Sequence, residues 1–169
     1  TVAPYDANYR MYSYVLEDLP AVIAANFPVD MSRQGIFGHS MGGHGALVMA
    51  LRNSQRFRSC SAFAPIVSPS TAEWSTNAFT RYLGPDSDDW RAYDAVALVE
   101  DGHAFSDILI DQGDADSFLE SGLRPWLFET ACKGGLTELT LRMQPGYGHS
   151  YYFISTFMED HLRWHAARL

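Results

Sequence analysis

The sequence predicts one α/β domain over residues 1–169, with a mostly parallel sheet covered by helices on both faces. Three observations support this fold class. Strand-like and helix-like segments alternate along most of the chain. Several strand-like segments are continuous apolar runs, such as residues 107–111, which is typical of strands that are buried on both faces. Short polar loops follow several of these runs, as they do at the carboxyl ends of parallel strands.

The first elements are a helix and a breaker. Apolar residues recur every three or four positions over residues 8–26, which predicts a helix that Asn8 could cap. Pro20 lies inside this run and is expected to kink the helix or to begin a second one. Residues 27–30 form a breaker that ends the helical segment.

A strand, a tight turn, a helix and a second strand follow. Residues 33–37 are strand-like, and residues 38–42 read G-x-S-x-G. The helix predicted over residues 42–53 is rich in Gly, Ala, Leu, Val and Met, so we expect it to be buried on most sides. Residues 57–63 are predicted to form a central parallel strand.

The region from residue 66 to residue 104 is the least regular, with short helices predicted over residues 74–82 and 88–93. It is followed by the apolar strand at 107–111.

The last third of the chain predicts a helix over residues 119–133, interrupted early near Gly122 and Pro125, and a strand over residues 139–143. An amphipathic terminal helix over residues 151–168 completes the alternation.

The composition excludes several classes of protein. Hydrophobic residues make up 47% of the chain, which predicts a packed core rather than disorder. The formal net charge of −8 argues against a nucleic-acid partner, because phosphate binding needs a basic face. It also gives no attraction to an anionic membrane, and no apolar run approaches the ~18 residues that span a bilayer.

The cysteines and the first residues bear on cellular context. Cys60 and Cys132 lie far apart and show no metal or redox spacing, so we expect two free buried thiols and a cytoplasmic location. The chain begins at Thr1 without a start methionine, which suggests a fragment or a processed product, and no charged-then-apolar leader is visible.

The G-x-S-x-G stretch around Ser40 has the context of a nucleophile elbow, because a strand precedes it and a helix follows it. A serine on such a turn has a strained backbone, and we expect the flanking Gly38 and Gly42 to remove Cβ atoms that would collide there. The N–H of Met41 is then positioned to stabilise a developing oxyanion.

A serine nucleophile needs a base and an orienting acid, and both are expected on loops at the same edge of the sheet. His149 follows the last predicted strand, and Asp114 and Asp116 follow the strand before it. The order serine, aspartate, histidine is that of α/β hydrolases. Spacing favours Asp116 over Asp114 but leaves both open, and either could instead cap the next helix. Asp111 lies on the strand itself and could be a core carboxylate.

The other histidines are weaker candidates for the base. His161 and His165 are four residues apart on the terminal helix, and we expect a solvated helix face rather than a metal pair. His39 and His44 flank the serine and are expected to pack near the turn. Aromatic residues that could line a substrate pocket are Trp74, Tyr147, Tyr152 and Phe153, although aromatic residues are more often part of a core.

Several stretches together resemble the S-formylglutathione hydrolase (esterase D) family. They are residues 8–14, 36–47, 61–66, 82–84, 107–113 and 146–153. The resemblance implies an α/β-hydrolase fold, with Ser40 as nucleophile, Asp116 as acid, His149 as base and the Met41 N–H in the oxyanion hole. It also implies hydrolysis of the thioester S-formylglutathione to glutathione and formate, in formaldehyde detoxification, through an acyl-enzyme and without a metal or organic cofactor. A general carboxylesterase, an acyltransferase and an inactive truncated fragment are the alternatives.

The resemblance also implies a difference in length. Members of the family are longer, and this chain corresponds to their C-terminal part, without the N-terminal strands and the loop that carries a second oxyanion N–H. We therefore expect the chain alone to be inactive or poorly folded unless a companion polypeptide completes the sheet. An open sheet edge would also favour a homo-oligomer.

Overall fold

The computed structural model describes residues 1–169 and contains one sheet of four strands in the spatial order β1-β2-β3-β4. The strands are β1 (Gln34–His39), β2 (Phe57–Phe63), β3 (Asp107–Gly113) and β4 (Glu138–Gln144). Every neighbouring pair is parallel, so all four carboxyl ends lie at the same edge of the sheet. The predicted fold class is confirmed.

Eight α-helical segments accompany the strands. They are α1 (Met11–Ser13), α2 (Leu19–Asn26), α3 (Met41–Arg52), α4 (Glu73–Leu83), α5 (Ser87–Trp90), α6 (Ala95–Glu100), α7 (Pro125–Cys132) and α8 (Tyr151–Ala166). Short 3₁₀ turns cover Tyr5–Ala7, Pro69–Thr71 and Arg91–Tyr93, and π-helical turns cover Tyr14–Asp18 and Leu119–Leu123.

The first helical segment accommodates its proline through a change of helix type. Pro20 has no backbone N–H, and a π-helical turn over Tyr14–Asp18 joins α1 to α2 just before it. The predicted cap is wrong, because the helix begins after Arg10 rather than Asn8 and has no side-chain cap.

The core lies on both faces of the sheet. On one face α3 and α7 pack on the strands and α6 packs on these two helices, around a cluster that includes Leu47, Ile108 and Phe128. On the other face α8 packs on β2 and β3, with Phe153 beside Phe63 in a second cluster. None of the helices combines the length and the apolar character that a membrane-spanning helix needs.

The α8 face that meets the sheet carries polar side chains in a buried chain of hydrogen bonds. His165 contacts Ser59 Oγ through Nδ1 at 2.6 Å and Ser61 Oγ through Nε2 at 2.8 Å. His161 contacts Ser61 Oγ through Nδ1 at 2.8 Å and Asp111 Oδ2 through Nε2 at 3.0 Å. Both histidines are buried, so the prediction of a solvated face for this pair is wrong.

The edge of the sheet formed by β1, and the nearby start of the chain, leave apolar side chains exposed. β1 is an edge strand, and its Phe37 is 46% exposed. Near the start of the chain, α2 buries none of its residues, and Val22 and Phe27 are each 56% exposed. Apolar surface therefore remains open on this strand and on this helix.

Candidate active site

Ser40 lies at the turn between β1 and α3 in a backbone conformation that non-glycine residues rarely adopt, with φ of 56° and ψ of −118°. A Cβ on Gly38 would be 2.3 Å from the carbonyl oxygen of Gly42, so only glycine fits there. A Cβ on Gly42 would meet nothing within 4 Å, whereas one on Gly43 would be 3.1 Å from the Gly38 oxygen. The expected steric role is therefore correct for Gly38 and wrong for Gly42. Gly43, rather than Gly42, is the second position at this turn where a Cβ would be crowded.

The loop after β4 brings His149 to the serine. His149 Nε2 is 2.9 Å from Ser40 Oγ, and His149 Nδ1 is 2.7 Å from Asp116 Oδ2. The three side chains come from three different strand ends and form one hydrogen-bonded line. Since ionised Asp116 can only accept, Nδ1 carries the proton in the neutral ring and Nε2 is free to accept from the serine hydroxyl.

Asp116 uses its two carboxylate oxygens for different tasks. Oδ1 accepts a hydrogen bond of 2.9 Å from the N–H of Phe118, while Oδ2 faces His149 and also accepts from Gln112 at 3.3 Å. The carboxylate therefore both caps the following turn and orients the imidazole. The alternative acid, Asp114, points elsewhere and accepts from the N–H of Gly146 at 2.7 Å.

The two loops that carry the acid and the base are joined directly. Besides the contact between Asp114 and Gly146, the N–H of Ala115 donates to the carbonyl of Tyr147 at 3.0 Å. A Cβ on Gly113 would lie 2.1 Å from that same carbonyl oxygen, so the close approach of the loops requires glycine. These contacts hold the two loops together and so keep Asp116 near His149.

Asp111 is fully buried on β3 and is a structural carboxylate. Burial alone would raise its pKa, but hydrogen bonds from His161, Arg142 and Gln144 outweigh burial and lower the pKa to about 2. It therefore stays ionised and anchors the buried hydrogen-bond chain beneath α8.

The start of α3 offers backbone donors beside the serine. Met41 is the first residue of this twelve-residue helix, and its N–H makes no backbone hydrogen bond. The unpaired N–H and the positive end of the helix dipole favour a negative oxygen at this position. The Met41 side chain itself is 75% exposed.

The histidines on either side of Ser40 have separate environments. His44 Nε2 lies 2.6 Å from the carbonyl oxygen of Tyr93, and burial lowers the pKa of His44 despite this contact. The ring of His39 lies against the ring of His149, with 4.4 Å between the centroids. Burial and the neighbouring His149 lower the pKa of His39. Sequence reasoning missed this ring contact, because no spacing rule links residue 39 to residue 149.

A cavity of about 590 Å³ opens beside Ser40. Its wall is mostly apolar and includes Met49, Ile66, Trp74, Phe79 and Tyr82. Of the aromatic residues expected to bind substrate, Trp74 therefore lies on this wall.

The other aromatic residues expected at the pocket lie away from this wall. Tyr147 packs on Phe153 and Phe157, with ring centroids 6.0 Å and 5.0 Å apart, and Tyr152 is 84% exposed. A binding role for Tyr147 and Tyr152 stays a prediction.

A parallel α/β sheet that presents a serine on a strand-to-helix turn at its carboxyl edge defines the α/β hydrolases. The comparison with known families agrees, since the family described as "Putative esterase" matches residues 1–164. The chain therefore belongs to this esterase family.

Curated relatives share more than the fold. The chain is 56% identical over 174 residues to the S-formylglutathione hydrolase of Mus musculus and 55% identical over 171 residues to that of Rattus norvegicus. Each alignment covers 100% of this chain and 61% of the relative, so the chain spans about 61% of the length of these relatives. The resemblance to this family and the difference in length are both confirmed.

Solved structures extend the comparison. An S-formylglutathione hydrolase from Agrobacterium tumefaciens is 66% identical and superposes with a TM-score of 0.98, covering 100% of this chain and 61% of that one. An S-formylglutathione hydrolase from Staphylococcus aureus is 19% identical with a TM-score of 0.66, covering 91% of this chain and 63% of that one, which shows a shared fold alone.

Proposed function

We propose that this chain carries the catalytic centre of a serine hydrolase and that its substrate is the thioester S-formylglutathione. The observation that carries the proposal is the line from Asp116 through His149 to Ser40, with contacts of 2.7 Å and 2.9 Å. The names of the relatives from Mus musculus and Agrobacterium tumefaciens support this choice of substrate.

In the first step His149 Nε2 takes the proton of Ser40 as Oγ forms a bond to the formyl carbon. The carbonyl oxygen becomes an oxyanion and accepts a hydrogen bond from the N–H of Met41. Asp116 holds the imidazole in the required tautomer and stabilises the imidazolium. The bond between carbon and sulfur then breaks, and His149 returns the proton to the leaving glutathione thiolate.

In the second step water replaces glutathione. His149 takes a proton from this water as the oxygen attacks the formyl carbon of the acyl-enzyme. Collapse of the second tetrahedral intermediate breaks the ester to Ser40, releases formate and returns the proton to Oγ. His149 carries every proton transfer in this scheme, and the backbone N–H of Met41 contributes only a hydrogen bond.

The apolar cavity favours a second candidate function. A formyl group needs little of a 590 Å³ space, whereas a larger apolar acyl or alcohol group would fill it. A general carboxylesterase would use the same centre, and so would an acyltransferase if an acceptor alcohol replaced water. Product analysis with and without an acyl acceptor separates hydrolysis from transfer.

The test measures thioester loss and serine labelling in the same samples. With the N-terminal portion of the family supplied as a companion polypeptide, we expect wild-type protein to hydrolyse S-formylglutathione and to react with a fluorophosphonate at residue 40. Ser40→Ala should abolish both reactions, whereas Ser155→Ala, which changes an exposed serine on α8, should retain both. Labelling without thioester hydrolysis would favour the carboxylesterase, and labelling at another residue would reject the proposal.

The same proposal sets the biological context. The substrate is a small-molecule thioester whose formyl carbon is already at the oxidation level of formate, so its hydrolysis releases formate without a redox step, in formaldehyde detoxification. Two free, buried cysteines, Cys60 and Cys132, support a reducing, cytoplasmic location.

A further inference from the structure

Two hydrogen bonds and one covalent bond hold the His149 ring. The hydrogen bonds join Nδ1 to Asp116 and Nε2 to Ser40. Because the ring is attached through the rotatable bonds on either side of Cβ, it can still tilt within the angular tolerance of the two hydrogen bonds. Catalysis needs the Nε2 lone pair to stay aimed at Oγ, so contacts on the ring that limit this tilt favour the reaction.

Two neighbouring rings provide such contacts. The His39 ring lies 4.4 Å from the His149 ring between centroids, with 40° between the planes. Phe118 meets the same ring edge-on at 5.2 Å and 75°. His39 is the last residue of β1 and directly precedes Ser40, so its backbone is fixed by the same turn that positions the nucleophile.

His39 has no hydrogen-bonding task that would explain its presence. Its Nε2 is buried and has no partner. Protonation there would bury a charged donor without an acceptor, which is costly. The ionisable groups that face it are His149 and Asp116, while Ser40 and Phe118 are uncharged. Burial first, and then His149, lower the pKa of His39, whereas Asp116 opposes them.

We propose that His39 is a positioning residue whose ring packs on His149 and holds the base in line between Asp116 and Ser40. The inference rests on the proposed function, since it assigns His149 as the base. A neutral ring at position 39 does not repel the imidazolium that forms when His149 takes the serine proton. A charged ring at this distance would repel it and would weaken the base.

The kinetic test compares the rates at which Ser40 reacts with a fluorophosphonate in three variants. His39→Phe keeps a ring that is never charged, and we expect a rate within ~3-fold of wild type. His39→Ala removes the ring, and we expect a rate ~10-fold lower, with the His149 ring free to tilt. His103→Ala changes an exposed histidine and should have no effect. Equal rates and equal pH profiles for His39→Ala and wild type would overturn the proposal.

A titration of the imidazole signals by NMR makes the inference independent of activity. With the two rings in contact, we expect His149→Phe to raise the pKa of His39, because the neighbouring like charge is gone. An unchanged pKa of His39 would show that the rings do not meet, and it would reject the proposal. If wild-type protein shows no labelling at Ser40, the proposed function fails, and the titration still decides whether His39 packs on His149.

Discussion

Asp116 combines a structural and an electronic task in one carboxylate. One oxygen caps the turn at Phe118, and the other sets the tautomer of His149. We expect Asp116→Asn to lower kcat by ~10³–10⁴-fold, because an amide can donate to Nδ1 and so favour the wrong tautomer. Steady-state kinetics on S-formylglutathione measures the loss.

Asp114→Asn is the matched control for this prediction. The amide oxygen can still accept the hydrogen bond from the N–H of Gly146, so kcat should stay within ~3-fold of wild type. A large loss in Asp114→Asn with little loss in Asp116→Asn would reverse the assignment of the acid.

The glycines of the turn give a second prediction at the scale of single residues. In Gly38→Ala the new methyl would lie 2.3 Å from the Gly42 carbonyl oxygen, so the turn must move. We expect ~10²-fold slower labelling of Ser40 and a loss of ~1–3 kcal/mol in the free energy of unfolding. Labelling kinetics and denaturant titrations measure the two effects.

Gly42→Ala provides the contrast on the same turn. Its methyl would enter open space at the start of α3, so labelling should be unchanged and the helix slightly more stable. If Gly42→Ala slowed labelling as much as Gly38→Ala, the steric account of this turn would be wrong.

Sequence reasoning reached some of these residues and not others for a physical reason. Ser40 and His149 were assigned from local patterns, since each lies in the turn or loop that follows a strand-like run. Asp116 needed the family resemblance, because Asp114 lies in the same loop. The roles of Gly43 and His39 come from contacts between distant segments, which a local pattern does not encode.

At the scale of elements, the hydrogen-bond chain beneath α8 links this helix to β2 and β3. Asp111 is ionised and accepts from His161 Nε2, which leaves Nδ1 to accept from Ser61. Ser61 in turn accepts from His165 Nε2, and Nδ1 of that ring accepts from Ser59. With neutral rings, each donor of this chain has one acceptor, and the pattern then defines both tautomers.

This chain predicts how stability depends on pH. Burial first, then the charges of His161 and Arg168, lower the pKa of His165 to about 4 from an ordinary value of 6.5. Between these two values the unfolded state binds more protons than the folded state, so stability falls as the pH is lowered from about 6.5 to 4. The contribution is fully present above pH 6.5. Thermal unfolding between pH 4 and 7 measures it.

His165→Gln is the test variant for the pH prediction. Glutamine can still contact a serine but does not titrate, so the fall in stability between pH 6.5 and 4 should be smaller than in wild type. The ionised Asp111 acts in a lower window, because its pKa of about 2 makes its contribution fade only below about pH 3.8. An identical slope in wild type and His165→Gln would contradict the assignment.

The elements that sequence patterns missed are those whose character depends on tertiary contacts. The pair His161 and His165 looks polar along the chain, yet the serines of β2 and the carboxylate of β3 satisfy both rings in the core. α6 has only six residues, too few for a periodic signal, and depends on a cap from Asp94 to the N–H of Ala97. The four strands were predicted to within a few residues.

At the scale of the whole molecule, the open edge of β1 and the apolar surface of α2 predict self-association. An unpaired strand edge beside exposed apolar side chains can pair with another copy of the chain. We expect the mass measured by light scattering to rise with protein concentration. The combined changes Val22→Lys and Phe27→Lys should reduce that rise, because each places a charge on the exposed apolar surface.

Leu136→Lys is the control for the association test. Leu136 is 85% exposed in the turn before β4, on a different edge of the sheet, so this change should leave association unaltered. A chain that stays monomeric at high concentration would contradict the prediction. The expected homo-oligomer and the expected companion polypeptide both remain predictions until such a measurement is made.

The strand order β1-β2-β3-β4 is also the order of synthesis. During translation each new unit can dock beside the one that left the ribosome before it, without a strand having to insert between two others. Of the three proposed catalytic residues Ser40 emerges first, Asp116 follows 76 residues later (116 − 40), and His149 follows after another 33 residues (149 − 116). A nascent chain therefore displays an unactivated alcohol until residue 149 has emerged, and the proposed line of Asp116, His149 and Ser40 can form only after that point.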